Sequence, residues 1–222
     1  MYIDIHTHQT SSGADQSLLQ WNLPADFSGE ETPVPERPQS GTWSVGVHPG
    51  DIQVDHWKAQ LAWVFRAIQY PTVLAVGECG LDRLVSIPRS IQEEVFIQHL
   101  KWAMDVRKPV IVHCVKAFDE LLAIQKVWKP SIPVLVHGFH KHVQVAEALF
   151  KRGFFISLDD RIPLSLSREV LIQYQDQILL ETDAGPVSIQ KVYENFAERI
   201  GWTVAQVQTK MEENYLIFTK SL

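Results

Sequence analysis

The chain has 222 residues, a formal net charge of −6 and 45% hydrophobic residues. This length suits one large domain with a buried core, and the acidic balance excludes a basic surface that wraps a nucleic-acid duplex. Two cysteines are too few for a disulfide framework, and no apolar stretch approaches the roughly 18 residues of a membrane span. We therefore expect a single domain over residues 1–222, located in the cytoplasm, with no membrane partner.

Short apolar runs of strand length recur along the chain and alternate with helical patterns. The predicted strands cover residues 3–6, 17–23, 43–47, 72–77, 110–113, 133–137, 154–157 and 178–181. The predicted helices cover residues 55–70, 90–107, 143–151 and 191–200. Several of the strands are rich in Val and Ile and carry no charge, which is typical of strands buried on both faces.

Alternating strands and helices predict a parallel sheet with right-handed crossovers, and eight such strands close as a barrel. No helix is predicted between the first and second strands, and none is clear before the third. The proline-rich stretch 29–41 predicts a loop. We therefore expect an α/β fold, a (β/α)8 TIM-like barrel whose sector between strands 1 and 3 is trimmed.

Residues that bind metals stand at the ends of the predicted strands. They stand at or just beyond the carboxyl ends of these strands: His6 and His8 of strand one, His48 of strand three, Glu78 of strand four, His113 of strand five, His137 of strand six and Asp183 of strand eight. The carboxyl ends of barrel strands meet at one mouth, where active sites lie. A single His after a strand is usually a structural residue, but seven such residues converging by chance is improbable.

The ligand types favour two divalent cations. His6, His8 and Asp183 can hold one ion, and His113 and His137 a second. Glu78 can bridge them, because a carboxylate has two oxygens. Such ligands accept Zn, Mn, Mg, Ni or Co.

Two ions about 3.5–4 Å apart can share a hydroxide that attacks a phosphoryl group. Asp183 is predicted to take the proton of the attacking water as general base. His48 is predicted to contact phosphate or donate a proton. The alternative for His48 is structural ordering of the turn at Pro49 and Gly50.

Other side chains are candidates for the same mouth of the barrel. His140, Lys141 and His142 form a small cationic cluster, either a phosphate contact or a solvated loop, and Arg83 and Arg161 are further candidates. Cys79 and Cys114 are expected in the core, because strand alternation turns them away from the neighbouring ligands. Asp82 is expected to orient a loop, Glu181 to support the ligands, and His56 and His99 to lie outside the site.

Seven strings of this sequence resemble motifs of the TatD family of metal-dependent hydrolases, within the amidohydrolase-like superfamily. They lie at 4–8 (Asp-Ile-His-Thr-His), 46–49 (Gly-Val-His-Pro), 77–82 (Gly-Glu-Cys-Gly-Leu-Asp), 108–113 (Lys-Pro-Val-Ile-Val-His), 136–139 (Val-His-Gly-Phe), 180–184 (Leu-Glu-Thr-Asp-Ala) and 214–218 (Asn-Tyr-Leu-Ile-Phe). Their order and spacing agree together along almost the whole chain.

The resemblance implies a short family member that hydrolyses phosphodiesters, commonly a deoxyribonuclease acting from strand ends with divalent metal. It implies metal ligation by His6, His8, Glu78, His113, His137 and Asp183. The partner is then a nucleic-acid end or a small phosphodiester, and no obligate protein partner is expected.

The chain departs from the family pattern near the substrate. Cys114 and Val115 stand where members often have Ser-Arg, and His140 and Lys141 follow Phe139 where Ser-Gly is usual. Arg binds phosphate with a planar fork of N–H groups, which Lys cannot reproduce. These departures concern the substrate and leave the predicted metal ligands intact.

Two other functions stay open. An amidohydrolase-type esterase, amidase or lactonase often carries a carboxylated Lys as bridging ligand, at the position that Glu78 occupies here, so Glu78 favours the phosphodiesterase. A catalytically weak metal-binding protein is the third reading. The complete ligand set argues against it, and the missing arginine keeps it open.

Overall fold

The computed structural model describes residues 1–10, 12–25, 27–29, 32–33 and 41–219. Part of the loop predicted over 29–41 therefore lies outside the described residues, including Pro35 and Pro38. Between the first and third strands, the described residues contain no helix. This agrees with the predicted trimming of that sector.

Eight strands follow one another in chain order across one sheet, and the described pairings are parallel. They are β1 (Ile3–Thr7), β2 (Gln16–Trp21), β3 (Thr42–Val45), β4 (Val73–Asp82), β5 (Val110–Val115), β6 (Val134–Val136), β7 (Phe155–Leu158) and β8 (Ile178–Leu180). The helices are α1 (Trp57–Ala67), α2 (Arg89–Val106), α3 (Phe118–Trp128), α4 (Val143–Phe150), α5 (Arg168–Gln173), α6 (Ile189–Ile200) and α7 (Val204–Thr219). Parallel strands in chain order with intervening helices are the pattern of a (β/α)8 barrel, as predicted.

The described chain forms two compact units. One comprises residues 1–19 and 135–219, and the other residues 20–134. The single domain expected over residues 1–222 stays a prediction. We refer below to the first as the terminal unit and to the second as the central unit.

In the terminal unit, α6 shows how an amphipathic sequence becomes a packed helix. Ile189, Val192, Phe196 and Ile200, spaced by three or four residues, are all buried. The Ser188 side chain caps the first turn by accepting from the Lys191 N–H. Asn214 of α7 donates to the carbonyls of Gln175 and Ile178, at 2.7 Å each, which anchors that helix to the start of β8.

In the central unit, the long helix α2 buries Phe96, Leu100 and Ala103 on one face, as the predicted helical spacing requires. Trp63 of α1 is also fully buried. Burying an aromatic or aliphatic side chain of this size contributes about 1.5–3 kcal/mol. These faces fix the helices against the strands that carry the candidate ligands.

Three helices, α3, α5 and α7, were missing from the sequence prediction. Helix α3 starts at Phe118 and carries Asp119 and Glu120 in its first turn, a start signal that the sequence prediction missed. Helix α5 spans six residues, too few for a periodic pattern. Helix α7 does have a signal, because Thr203 and Gln206 bond each other's backbone N–H in a capping box.

Four strands end later than predicted, β1 and β7 by one residue, β5 by two and β4 by five. β4 continues to Asp82 and β5 to Val115. Glu78 and His113 therefore lie inside their strands, and the prediction that each ligand stands at or beyond a strand end was wrong for them. A register shift between Val76 and Cys79 interrupts the pairing of β4 with β5 and re-aims the residues around Glu78.

Candidate metal centre

The terminal unit brings His6, His8 and Asp183 together. His6 is fully buried within β1, His8 follows that strand, and Asp183 lies three residues beyond β8. Oδ1 of Asp183 is 3.8 Å from Nε2 of His6 and 3.5 Å from Nε2 of His8. The three ligand atoms lie within 4.8 Å of one another.

These separations fit a metal ion. Ligands about 2.1 Å from a tetrahedral ion are about 3.4 Å apart, since they subtend about 109° at the metal. The two measured nitrogen–oxygen distances are close to that value and exceed an ordinary hydrogen bond. Imidazole nitrogen and carboxylate oxygen are donors that zinc, manganese, nickel and cobalt accept. The donor set of this cluster therefore fits a divalent cation.

The backbone of Asp183 holds its side chain in place. Asp183 has φ 51, a left-handed conformation that is uncommon for a residue with a Cβ. It is retained because its N–H donates to the His6 carbonyl at 3.0 Å and its carbonyl accepts from the His8 N–H at 3.1 Å. The Thr7 hydroxyl also donates to that carbonyl, at 3.2 Å. Such strain at a site persists only where the surroundings over-determine it.

A buried carboxylate beneath this cluster was not singled out from the sequence. Asp4 accepts from the N–H of Thr182 at 3.0 Å and from its hydroxyl at 2.7 Å. Burial raises the pKa of Asp4 to about 6, although the bonds from Thr182 act in the opposite direction. Asp4 thereby fixes the residue that precedes Asp183. A charged residue inside an apolar run was the signal for it.

His137 also belongs to the terminal unit. Its ring centroid lies 4.5 Å from that of His6. Its Nδ1 is 3.7 Å from Oε1 of Glu181, which is fully buried and accepts from the Gly138 N–H and the Ser157 hydroxyl, both at 2.6 Å. Burial works to raise the pKa of Glu181, but His137 and Ser157 outweigh it and lower that pKa. Glu181 thus lies where a supporting carboxylate was expected.

In the central unit, Glu78 occupies a crowded stretch of β4. Its backbone N–H donates to Oε1 of Gln20 at 2.8 Å. The glycines on either side allow β5 to approach, because a Cβ at Gly77 would lie 2.4 Å from the Ile111 carbonyl and one at Gly80 only 2.0 Å from the His113 carbonyl. Both glycines also have positive φ. The Gly-Glu-Cys-Gly string therefore specifies the backbone that presents Glu78.

His113 lies between two carboxylates. Its Nδ1 is 2.8 Å from Oε1 of Glu78 and its Nε2 is 3.1 Å from Oδ2 of Asp82. A metal-binding His commonly donates its other ring N–H to a carboxylate, which leaves the first nitrogen as a ligand. The 2.8 Å between Nδ1 and Glu78 is an ordinary hydrogen-bond length, shorter than the spacing of two ligands on one tetrahedral ion. What fits a divalent cation here is the donor set, an imidazole nitrogen beside a carboxylate oxygen.

Asp82 does more than the sequence predicted. Its Oδ1 accepts from the Leu84 N–H at 2.7 Å, so it orients the loop after β4 as expected. Its second oxygen meets His113, a contact that sequence reasoning missed, because β4 was not predicted to continue to residue 82.

The geometry of His48 favours a donor and not a metal ligand. Its Nδ1 accepts from the Gly50 N–H at 3.0 Å, so the neutral ring carries its hydrogen on Nε2. That Nε2 lies 3.6 Å from Oε1 of Glu78. His48 therefore orders the turn at Pro49 and Gly50, and still presents an N–H beside Glu78.

The remaining candidates divide between core and surface. Cys79 and Cys114 are both buried, as predicted. His99 is fully buried, and its Nε2 accepts from the Val47 N–H at 3.1 Å, so it supports the turn that carries His48. Arg83 forms an ion pair with the buried Glu120. His140 and Arg161 meet at Asp159, as described further below.

The fold and these two clusters define a (β/α)8 barrel with His and carboxylate groups suited to divalent metal. Solved structures of similar fold support the barrel. The TatD homologue YJJV from Escherichia coli K12 has a TM-score of 0.79 at 22% identity, over 98% of this chain and 97% of that one. A hydrolase TatD family protein from Entamoeba histolytica has a TM-score of 0.74 at 12% identity, over 100% and 98% of the two chains.

The chain belongs to the family described as TatD related DNase, whose model matches residues 26–219. It is also similar to proteins named 3'-5' ssDNA/RNA exonuclease TatD. The one from Cronobacter turicensis is 36% identical over 158 residues, which is 67% of this chain and 59% of that protein. The one from Escherichia coli K12 is 33% identical over 159 residues, 67% of this chain and 60% of that protein.

The matched region spans about three fifths of the length of these curated relatives. In the part of the chain that the structure describes, no helix combines the length and apolar character needed to cross a membrane.

Proposed function

We propose that the chain is a divalent-metal-dependent phosphodiesterase that removes nucleotides from single-stranded nucleic-acid ends. The observation that carries the proposal is the convergence of His6, His8 and Asp183 at the ends of β1 and β8. Family membership supports it, because relatives bear the name of a 3'-5' ssDNA/RNA exonuclease.

The proposed metal ligands are His6, His8, His137 and Asp183 of the terminal unit and Glu78 and His113 of the central unit. Bound divalent ions acidify water and stabilise the developing charge of a phosphoryl displacement. We propose two ions per chain. Ligation of the second ion by His113 and His137, and the bridging role of Glu78, stay predictions of the sequence, as does the identity of the metal.

Asp183 is the proposed general base. Its carboxylate is held by the backbone contacts described above and is about one third exposed, so it is open to a water molecule. A carboxylate within hydrogen-bond reach of the attacking water takes its proton as the new bond to phosphorus forms.

His48 is the proposed donor to the substrate. Because Gly50 occupies its Nδ1, the Nε2–H is the group that can bind a phosphoryl oxygen or protonate the leaving oxygen. The ring is partly exposed, which leaves it accessible to substrate. Glu78 lies next to this N–H and favours its orientation.

The test is turnover by protein that has been stripped of metal and reloaded with Mn, Mg, Zn, Ni or Co. End-labelled single-stranded DNA, RNA and a panel of carboxylic esters and lactones serve as substrates. We expect release of mononucleotides from one end, only with metal, and its loss in Asp183→Asn. Ester or lactone turnover alone would instead establish the amidohydrolase alternative. The cytoplasmic location and the absence of a protein partner stay predictions.

A further inference from the structure

A charged group lies after β6 and β7 of the terminal unit, outside the ligands described so far. It consists of His140, Asp159 and Arg161, and we call it the Arg161 cluster. Asp159 directly follows β7, and only 5% of it is exposed. Its carboxylate accepts from Arg161 three times, from the backbone N–H at 2.8 Å, from Nε at 3.0 Å and from Nη2 at 2.5 Å. A buried anion therefore fixes an arginine at the surface.

His140, from the loop after β6, completes the cluster. Its Nε2 is 3.2 Å from Oδ2 of Asp159 and 3.1 Å from Nη2 of Arg161. Burial works to raise the pKa of Asp159, but the hydrogen bonds from His140 and Arg161 outweigh it and hold that pKa well below its ordinary value. The anchoring carboxylate therefore stays charged over the working range of pH.

The guanidinium of Arg161 is only partly used by these contacts. An arginine has five N–H donors. The Nε–H and one N–H of Nη2 donate to Asp159. Nη2 also lies 3.1 Å from Nε2 of His140, which cannot accept from it while donating to Asp159. Among the described residues, none accepts from Nη1, and 68% of the side chain is exposed. Nη1 thus keeps both N–H groups for an anion, on a side chain whose orientation is already set.

The cluster lies close to the candidate metal ligands of the same unit. Arg161 follows β7 and Asp183 follows β8, two neighbouring strands whose parallel pairing places Leu158 beside Leu180. Both residues therefore lie beyond the same edge of the sheet. The pKa of Arg161 is raised chiefly by its hydrogen bonds to Asp159, and the charge of Asp183 is one of the smaller causes. His140 follows His137 by three residues, so the loop that carries a proposed ligand also carries a member of the cluster.

We propose that Arg161 binds a phosphate group of the nucleic-acid strand through Nη1, with Asp159 and His140 as positioning residues. The inference rests on the proposed function and names a substrate contact for it. An arginine held in one orientation loses little side-chain entropy on binding phosphate, and charge-assisted N–H···O bonds to phosphate are among the stronger hydrogen bonds. Family members often have Ser-Arg where this chain has Cys114 and Val115. The arginine that binds phosphate then comes from another strand end, as Arg161 does.

Binding and its salt dependence test the proposal. The probe is a fluorescent single-stranded thymidine oligonucleotide, with EDTA present to stop hydrolysis, and anisotropy gives Kd at several salt concentrations. Each phosphate contact to a single strand contributes about 0.7 to the slope of log K against log salt. We expect Arg161→Ala to weaken binding about tenfold and to reduce that slope by about 0.7.

Three variants sharpen the result. Arg161→Lys keeps the charge and should retain the slope while binding less tightly, because an ammonium does not reproduce the planar fork. Asp159→Asn frees the guanidinium and should weaken binding with the slope retained. Arg152→Ala is the matched control, since Arg152 is an exposed arginine of the same unit that donates to the Ala148 carbonyl, and it should change neither quantity.

Kinetics of the metal-loaded protein give a second readout. Loss of the contact should raise KM for single-stranded DNA more than it lowers kcat. Unchanged Kd, slope and KM in Arg161→Ala would show that the cluster is a structural ion pair and would overturn the inference alone. Wild-type protein that neither binds nor hydrolyses the oligonucleotide would overturn both the proposed function and this inference.

Discussion

The buried His99 leads to a pH-dependent stability that can be worked out from the structure. Its Nε2 accepts from the Val47 N–H at 3.1 Å, and its Nδ1 lies 2.8 Å from the Val95 carbonyl. Burial lowers the pKa of His99 to about 4, against a weaker opposing effect of Val95. The folded protein thus binds a proton at this ring less readily than the unfolded chain, whose His has a pKa of about 6.5.

The sign follows from linkage. Above pH 6.5 the ring is neutral in both states, so its contribution to stability is fully present. As the pH falls from about 6.5 to about 4, the unfolded chain gains a proton and the folded state does not, and stability is lost. The loss from this single group is about 2 kcal/mol at pH 5 and about 3 kcal/mol at pH 4.

Asp4 acts in the opposite direction over the same range. Its folded-state pKa, raised to about 6, means that the folded protein takes up a proton as the pH falls below 6 and is stabilised relative to the unfolded chain. The stability of the wild-type protein alone would therefore conceal the effect of His99. A comparison with a variant that lacks only the titrating ring removes this interference.

His99→Gln is that variant, because a glutamine oxygen can still accept from Val47 and does not titrate. Urea unfolding of both proteins between pH 4 and 7 gives their free energies of unfolding. We expect the wild-type value, relative to the variant, to fall by about 2 kcal/mol from pH 7 to pH 5. A difference that stays constant with pH would refute the assignment of His99 as a buried neutral ring.

Three further outcomes follow from the site. Asp183→Asn should lower kcat by about 10²-fold or more, since an amide cannot accept the proton, while metal content falls less, and near wild-type turnover would exclude Asp183 as the base. His48→Ala should leave metal content unchanged and lower the rate of hydrolysis. His48→Gln keeps a side-chain N–H and should recover part of that rate, whereas equal rates in the two variants would count against His48 as a hydrogen-bond or proton donor. Thr182→Val removes the hydroxyl bond to the buried Asp4 and should cost about 1–3 kcal/mol in urea unfolding, whereas unchanged stability would show that Asp4 is otherwise satisfied.

Much of the fold was predictable because local sequence patterns, apolar runs and helical spacing, mark its strands and helices. Val- and Ile-rich runs gave the order of the strands, and helical spacing gave α1, α2, α4 and α6. Helix α3 was harder to predict, because Leu121 is its one buried apolar residue and no buried apolar stripe marks it. The extension of β4 to Asp82 depends on pairing with β5, a long-range contact that only glycines at 77 and 80 permit.

The candidate site also has a part that was predictable from the sequence and a part that was not. The His-x-His pair was predictable, because strand period and the carboxyl-end rule place both rings near one edge. The carboxylates that hold the ligands were harder to predict. Asp4 acts through a contact with Thr182, which is distant in sequence. Asp82 contacts His113 from a position beyond the predicted end of β4. The role of Asp159 in holding Arg161 and His140 was not predictable, because His140 reaches it from the loop after β6, far from it in sequence.

The most direct test of the account is the number of divalent ions bound per chain, measured by elemental analysis after dialysis and by calorimetric titration of stripped protein. The wild-type protein should bind two, and His8→Ala should lose one of them. His56→Ala, at an exposed histidine outside both clusters, should bind as the wild type does. A wild-type protein that binds no divalent ion, or a His8→Ala variant with undiminished binding, would contradict the assignment of these side chains as a metal centre.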